Sequence, residues 1–176
     1  MIVIREQDRV RLISRGGYDW ADRFPLIVSG ALKLEQESFV IDGEVVVLDK
    51  EGKSDFDALA SRKQDKWAQL YAFDMLAGDG EDLRTWPLAL RKGALAGLLS
   101  DPVDGIFIAE YEQGEIGGVL FRVACNMGLE GIVSKRLDHG YCAGRCKHWV
   151  KVKNRAHPAY SRVRDHLSVH RSNSRV

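Results

Sequence analysis

Residues 39–48, FVIDGEVVVL, constrain the fold more than any other stretch. The run is rich in β-branched side chains and the turn signal Lys50-Glu51-Gly52 follows it, which marks it as a strand. Successive strand side chains point to opposite faces, so Asp42 and Glu44 share one face with Gly43 between them. Two carboxylates there are costly to bury unless a metal ion, a ribose hydroxyl or a basic side chain neutralises them. The plainer alternative is a strand whose acidic face meets solvent. Gly43 lets a ligand or another backbone come close.

The rest of the chain supplies partners for that strand. Ile2–Ile4 and Val10–Ser14 read as strands joined at Glu6-Gln7-Asp8, and Arg15-Gly16-Gly17 is a turn. Asp19 is placed to cap a short helix running towards Lys33, interrupted at Pro25. Phe56–Ser61 reads as helix and Leu70–Leu76 as strand. Pro87 suits the first turn of a helix through Leu99. Ile106–Ala109 is a short strand, and Ile116–Met127 a helix ended by Gly128. Ile132–Lys135 and Trp149–Lys153 are the last strands. Turns join most strands and helices fall between them irregularly, which is α+β rather than a βαβ repeat.

Composition narrows the class. The chain has 176 residues, 45% of them apolar, enough for one domain with a core. No apolar run has the length of a membrane span, and the start MIVIREQDR has no signal-peptide layout. Three cysteines in a chain of this length do not suggest a disulfide framework, so a reducing cytoplasm is expected. The net charge of +1 hides an asymmetry: residues 145–176 hold nine of the 26 basic side chains and one of the 25 acidic ones. A basic stripe is the electrostatic footprint of nucleic-acid binding, and basic tails also serve solubility.

That basic end begins in WVKVK (149–153). Alternation puts Trp149, Lys151 and Lys153 on one face and Val150 and Val152 on the other, with the valines expected in a core. The two lysines stand ~6.5–7 Å apart along the strand and repel unless an anion lies between them, which a phosphate would satisfy. An edge strand guarded by lysines is the alternative. Phe73, in YAFDML (71–76), is either core or a plate on which a base stacks. Arg15, between a strand and two glycines, can present a guanidinium to a phosphate or a sugar.

In order, SRGG (14–17), DGE (42–44), YAFDML (71–76), EGIVSKR (130–136) and WVKVK (149–153) resemble the motif series of the covalent nucleotidyltransferases. More narrowly, they are similar to the adenylation domain of bacterial ATP-dependent DNA ligases of the end-joining kind. The stretch Glu130–Asn154 carries most of that specificity, and the resemblance runs to about Val163. It implies a nucleotidyltransferase fold of two twisted antiparallel sheets with flanking helices, incomplete at the N-terminus. Residues 1–155 would form the partial adenylation domain and 156–176 a basic tail.

The resemblance also implies roles. Arg15 would contact the sugar or phosphate side of the nucleotide. Glu44 would bind the ribose or help hold metal, and Phe73 would stack on adenine. Glu130 would assist a divalent metal, Mg²⁺ or Mn²⁺. Lys151 and Lys153 would hold the α-phosphate, and Lys135 and Arg136 could meet further phosphates. ATP is the implied cofactor. Nicked or broken duplex DNA is the implied partner, with end-joining repair proteins beside it.

One part of the pattern is missing. The family's nucleophile is a lysine in Lys-x-Asp-Gly shortly before SRGG, whereas the first lysine of this sequence is Lys33. Lys53-Ser54-Asp55-Phe56 lacks the glycine and follows DGE. The nucleophile is therefore absent from this chain. Met1 is expected to be an internal position of a longer protein, through gene truncation or a misassigned start. The alternative is a non-catalytic nucleotide- or DNA-binding remnant. His139, Cys142, Cys146 and His148 lie within ten residues and invite a zinc reading. The resemblance accounts for Tyr141, Gly144 and Arg145 without a metal and leaves the cysteines at variable positions.

Overall fold

The computed structural model describes residues 1–144, 146–157 and 160. They fall into two compact units. One is Met1–Tyr111 with Leu137–Ala143, and the other is Glu112–Arg136 with the described residues from Gly144 onward. Apart from Ala156, His157 and Tyr160, the expected basic tail lies outside the described residues.

The first unit is built on a sheet of six strands: β1 (Ile2–Glu6), β2 (Arg9–Ile13), β3 (Ser38–Val46), β4 (Gln69–Gly78), β5 (Glu81–Asp82) and β6 (Ile106–Ile108). The order is β2-β1-β3-β4-β5, with β6 also on β4. All pairs are antiparallel except β4–β6, an exception to the expected antiparallel sheet. The β1–β2 hairpin turns on Gln7, which takes a left-handed conformation (φ 56). Val3, Leu12, Phe39, Ile41, Leu70 and Ala72 are fully buried or nearly so and form the heart of the core.

Two register shifts mark the β3–β4 pair. Asp42 faces Asp74 while Gly43 faces Ala72, so Phe73 is the extra residue of a bulge; Leu76 is extra in the second. The close approach expected at Gly43 is made by the partner strand. A Cβ there would lie 2.8 Å from the Tyr71 carbonyl oxygen and 2.9 Å from Leu70 Cδ1.

Helices α1 (Pro25–Lys33), α2 (Phe56–Ser61) and α3 (Leu88–Leu98) complete this unit. Asp19 does not cap α1. Its carboxylate accepts from the amides of Leu12 (3.0 Å) and Ala21 (3.1 Å), which fixes a 3₁₀ turn at Ala21–Arg23. Pro25 then opens α1, where its missing N–H costs no helical bond. At the far end of α1 the buried Arg5 donates through Nη1 to the carbonyls of Ala31, Leu34 and Gln36 (2.6–3.1 Å). A cation at a helix C-terminus satisfies carbonyls that have no partner within the helix.

The start of α3 is held by a distant segment. Pro87 offers no side-chain cap, and the amides of Leu88 and Ala89 donate instead to the carbonyls of His139 and Leu137 (3.0 and 3.1 Å). Arg91, one turn on, forks onto Asp74 (2.7 and 3.0 Å), with both side chains fully buried. It also donates to the carbonyls of Trp86 and His139.

The second unit holds α4 (Gly117–Asn126) and the antiparallel pair β7 (Gly131–Lys135) and β8 (Trp149–Lys153). Gly128 ends α4 in a left-handed conformation (φ 73), as expected. Ala124 is its buried residue. The valines of β8 are not in a core: Val150 is 55% and Val152 39% exposed. Alternation fixed which residues share a face and said nothing of which face is covered.

Candidate functional site

The β7–β8 ladder sets the geometry of the second unit's polar face. Gly131 pairs with Lys153, Val133 with Lys151 and Lys135 with Trp149. Directly opposed residues share a face, as do residues two apart, so these six lie together. Glu130, just before β7, reaches this face. Its Oε1 is 3.1 Å from Lys153 Nζ and 3.6 Å from Lys151 Nζ. The two lysines thus gather on one anion as their spacing requires, and here that anion is a carboxylate. The three sequence-predicted residues Glu130, Lys151 and Lys153 come together, all at least partly open to solvent.

The ammonium groups act on the carboxyl. The hydrogen bond from Lys153 is the larger cause and the charge of Lys151 adds to it; both hold the Glu130 carboxyl below its usual range against the opposing effect of burial. A depressed carboxylate contributes stability above its unfolded pKa, about 4.3, and loses it as pH falls through the lower folded value. Near neutral pH the cluster carries two positive charges and one negative.

Gly131 makes that contact possible. It has φ 154, a conformation side chains rarely adopt, and a Cβ there would meet the Val152 carbonyl oxygen and lie 2.9 Å from Lys153 Cα. Backbone cannot yield as a flexible side chain can. Gly131→Ala is therefore expected to push β8 away, weaken the Glu130–Lys153 bridge and destabilise the protein by about 1–3 kcal/mol. Urea denaturation checks this, and a midpoint equal to the parent's would contradict the geometry.

The other predicted residues lie in the first unit. Glu44 is exposed on β3 directly opposite Tyr71, whose ring stacks on Phe107 (5.6 Å between centroids). Phe73 is half-buried at the β4 bulge. Arg15 is exposed in the turn after β2, which β1 separates from β3. Glu44 and Phe73 are thus near neighbours across β3–β4, while Arg15 sits at the sheet's edge.

Asp42, which shares the Glu44 face, accepts a hydrogen bond from the Tyr141 hydroxyl (3.0 Å) and lies 3.7 Å from the amino group of Met1. Burial first, and then the charge of Asp42, push the Tyr141 phenol well above its usual range, so it remains a donor at any working pH. Tyr141, Arg91 and the Lys135–Trp149 contact (4.0 Å from ammonium to ring centroid) were not legible as partners. Each joins residues from different elements, and only strand register could have paired the last two.

Among the described residues no three His, Cys, Asp or Glu side chains converge to hold a metal ion. His139 and Cys142 belong to the first unit and Cys146 and His148 to the second. Mg²⁺ asks for less, since it is usually held by one or two carboxylates together with substrate phosphates and water. A single carboxylate such as Glu130 fits that donor chemistry. Among the described residues no helix is long and apolar enough to cross a membrane.

Residues 1–153 match the family model of the ATP-dependent DNA ligase domain. The chain belongs to the ATP-dependent DNA ligase family. It is 36% identical over 151 residues to the multifunctional non-homologous end joining protein LigD of Pseudomonas aeruginosa, covering 84% of this chain and 18% of that one. It is 33% identical over 163 residues to a probable DNA ligase of Streptomyces avermitilis, covering 85% of this chain and 32% of that protein. Among solved structures it is similar to a mycobacterial DNA ligase D complexed with ATP and MES. There the TM-score is 0.74 at 31% identity, covering 87% of this chain and 50% of the other. The ligase domain of Mycobacterium tuberculosis LigD gives 0.73 at 31%. The chain therefore spans half or less of the length of these ligase relatives, and its mixed sheet-and-helix fold is that of their nucleotidyltransferase domains.

Proposed function

We propose that this chain is the phosphate-binding and DNA-binding part of an ATP-dependent DNA ligase that joins DNA breaks in repair and recombination. Residues 1–155 serve as its adenylation-domain portion and 156–176 as a basic tail. The observation that carries the reading is the Glu130 carboxylate set between Lys151 and Lys153 on a strand pair open to solvent. Two ammonium groups and a carboxylate that can share a Mg²⁺ suit a phosphorus centre that gathers negative charge in the transition state. Phosphoryl-type transfer depends chiefly on such positioning and charge compensation.

The remaining residues take supporting roles. Phe73 stacks on adenine, Glu44 binds the ribose hydroxyls or shares the metal, and Arg15 meets the sugar or phosphate side. Lys135 adds positive charge on the β7–β8 face. ATP is the nucleotide, Mg²⁺ or Mn²⁺ the metal, nicked or broken duplex DNA the substrate, and end-joining proteins the partners. A reducing cytoplasm suits a chain with so few cysteines.

Residues 1–176 contain no Lys-x-Asp-Gly, so they divide the family's reaction. Loading AMP needs an amine nucleophile to form a phosphoramidate. Sealing does not: the 3′-oxygen bonds to the 5′-phosphorus of DNA that already carries AMP, the bond from that phosphorus to AMP breaks, and the hydroxyl proton goes to solvent. The chain incubated with labelled ATP and Mg²⁺ is expected to acquire no covalent AMP, yet to seal a pre-adenylated nick slowly in Mg²⁺ without ATP. A stable AMP adduct on any lysine overturns the first expectation. No sealing, with DNA binding intact, favours the second reading, a non-catalytic DNA-binding module, for which the missing motif speaks.

A further inference from the structure

The connection from α2 to β4 presents three cations and an indole to solvent. Arg62, Lys63, Lys66 and Trp67 are all exposed, Trp67 to 61%. Lys63 and Lys66 have no ion-pair partner among the described residues. Lys66 instead stands 5.2 Å from the centroid of the Trp67 ring. Arg62 lies 3.7 Å from Asp65, but that carboxylate is already held by Arg23, which forks onto it at 2.6 and 3.1 Å. The preceding acids, Asp55 and Asp57, lie at the other end of α2, where Asp55 caps it.

This turn is fixed from beneath. Arg23 sits against the rings of Trp20 and Phe24 (4.7 and 4.8 Å) and also donates to the Leu59 carbonyl near the end of α2 (2.7 Å). Asp65–Trp67 is a 3₁₀ turn, and the next residue, Ala68, is fully buried. Arg62 takes a left-handed conformation (φ 62), which persists in a residue with a side chain only where the surroundings hold it. A surface ordered in advance loses less entropy when it binds. Ala68 shares the core with Ile27 of α1 and Ile41 of β3. Asp42 and Glu44 lie on the other face of β3 from Ile41, so the turn is anchored away from the face that carries them.

Exposed cations alone serve solubility, and the indole is what adds a specific ligand. A protein interface sets its aromatic anchors in a core from which charge is depleted, whereas here a lysine stands at the ring itself. An open aromatic among cations suits a single strand of nucleic acid, whose bases stack on the ring while its phosphates meet the charges. A duplex hides the faces of its bases, so the base that stacks is an unpaired one.

We propose that the turn 61–67 binds a single-stranded segment of DNA, with a base stacked on Trp67 and the neighbouring phosphates on Arg62, Lys63 and Lys66. The proposal rests on the ligase reading above, which supplies DNA as the partner, and adds to it a contact for the unpaired overhang of a broken end.

Binding of the 176-residue chain to duplex DNA with a poly-dT overhang, and to the same duplex with blunt ends, tests this by fluorescence anisotropy over a salt series. The parent is expected to prefer the overhang. Trp67→Ala should lower overhang affinity by about 5–140-fold, towards that of the blunt duplex, and leave blunt binding unchanged. Its salt slope stays that of the parent, because stacking releases no counterions. Trp67→Phe restores most of the affinity. Lys63→Gln and Lys66→Gln should each reduce the slope of log affinity against log salt on the overhang by about 0.7, the share of one phosphate on a single strand. Matched urea midpoints separate these effects from misfolding, and Trp67→Phe and the lysine variants keep the test open if Trp67→Ala does not fold.

A parent that binds both duplexes equally overturns the proposal, as do equal losses on both for Trp67→Ala. Unchanged slopes for both lysine variants overturn the phosphate contacts. A parent chain that binds neither these duplexes nor a nicked one sinks the ligase reading itself, whereas steep, salt-dependent binding to nicked duplex without preference for the overhang sinks only this inference.

Discussion

Arg91→Met is expected to unfold the protein at markedly lower urea than the parent, with a loss of about 3–5 kcal/mol. Arg91 and Asp74 are fully buried, and the guanidinium forks onto the carboxylate at 2.7 and 3.0 Å. Without the cation, Asp74 is left as an uncompensated charge in the interior, and the carbonyls of Trp86 and His139 lose a donor as well. Domains are stable by only about 5–15 kcal/mol, so the deficit is a large share of the total. Replacing both partners by apolar residues, Asp74→Leu with Arg91→Met, should recover much of it because no lone charge is then buried. The contrast is Arg84, which forks onto Asp82 just as closely (2.6 Å) with both side chains exposed. Arg84→Ala should leave the midpoint where it was, since exposed ion pairs contribute little. Equal midpoints for Arg91→Met and the parent would contradict the buried-pair account.

The second large effect is on sealing. Lys153→Ala is expected to slow sealing of a pre-adenylated nick by about 10²–10³-fold, the usual cost of removing one donor aimed at developing charge. Lys151→Ala should cost less, because its ammonium lies farther from Glu130 than that of Lys153 (3.6 against 3.1 Å) and is more exposed. Glu130→Gln keeps the shape of the side chain and removes its charge. It should abolish the response of the rate to Mg²⁺ if that carboxylate holds the metal. Single-turnover gel assays over a Mg²⁺ series measure all three. A Glu130→Gln variant with the parent's Mg²⁺ dependence would place the metal elsewhere.

Much of this was legible in the sequence, and the reasons differ by element. β3 announces itself by its β-branched run and the turn signal after it, and β8 by period-two alternation, which alone put Lys151 and Lys153 on one face. Pro87 lies at the start of a helix and Gly128 at the end of one, as read, because backbone chemistry at those positions is local, whereas Pro25, read as an interruption, opens α1. What depends on a distant partner was not readable. The bulge at Phe73 exists only in register with β3, and the Arg91–Asp74 fork joins a helix to a strand. Val150 and Val152 show the same limit, since alternation cannot say what lies over a face. The site divides likewise: the residue types were evident, and the indole under Lys135 needed the ladder.

The placement of Leu137–Ala143 has a consequence for how this chain can be divided. The segment packs with the first unit, although the strands on either side of it belong to the second. The polypeptide passes between the units three times, and neither is a continuous length of gene. A fragment ending at Tyr111 would carry α3 without the two carbonyls that receive its first amides. A fragment starting at Glu112 would carry a hairpin whose loop has lost the backbone it packs on. Recombination or engineering that treats either unit as an exchangeable cassette would break the protein at its joinery, however well the cut avoids helices and strands.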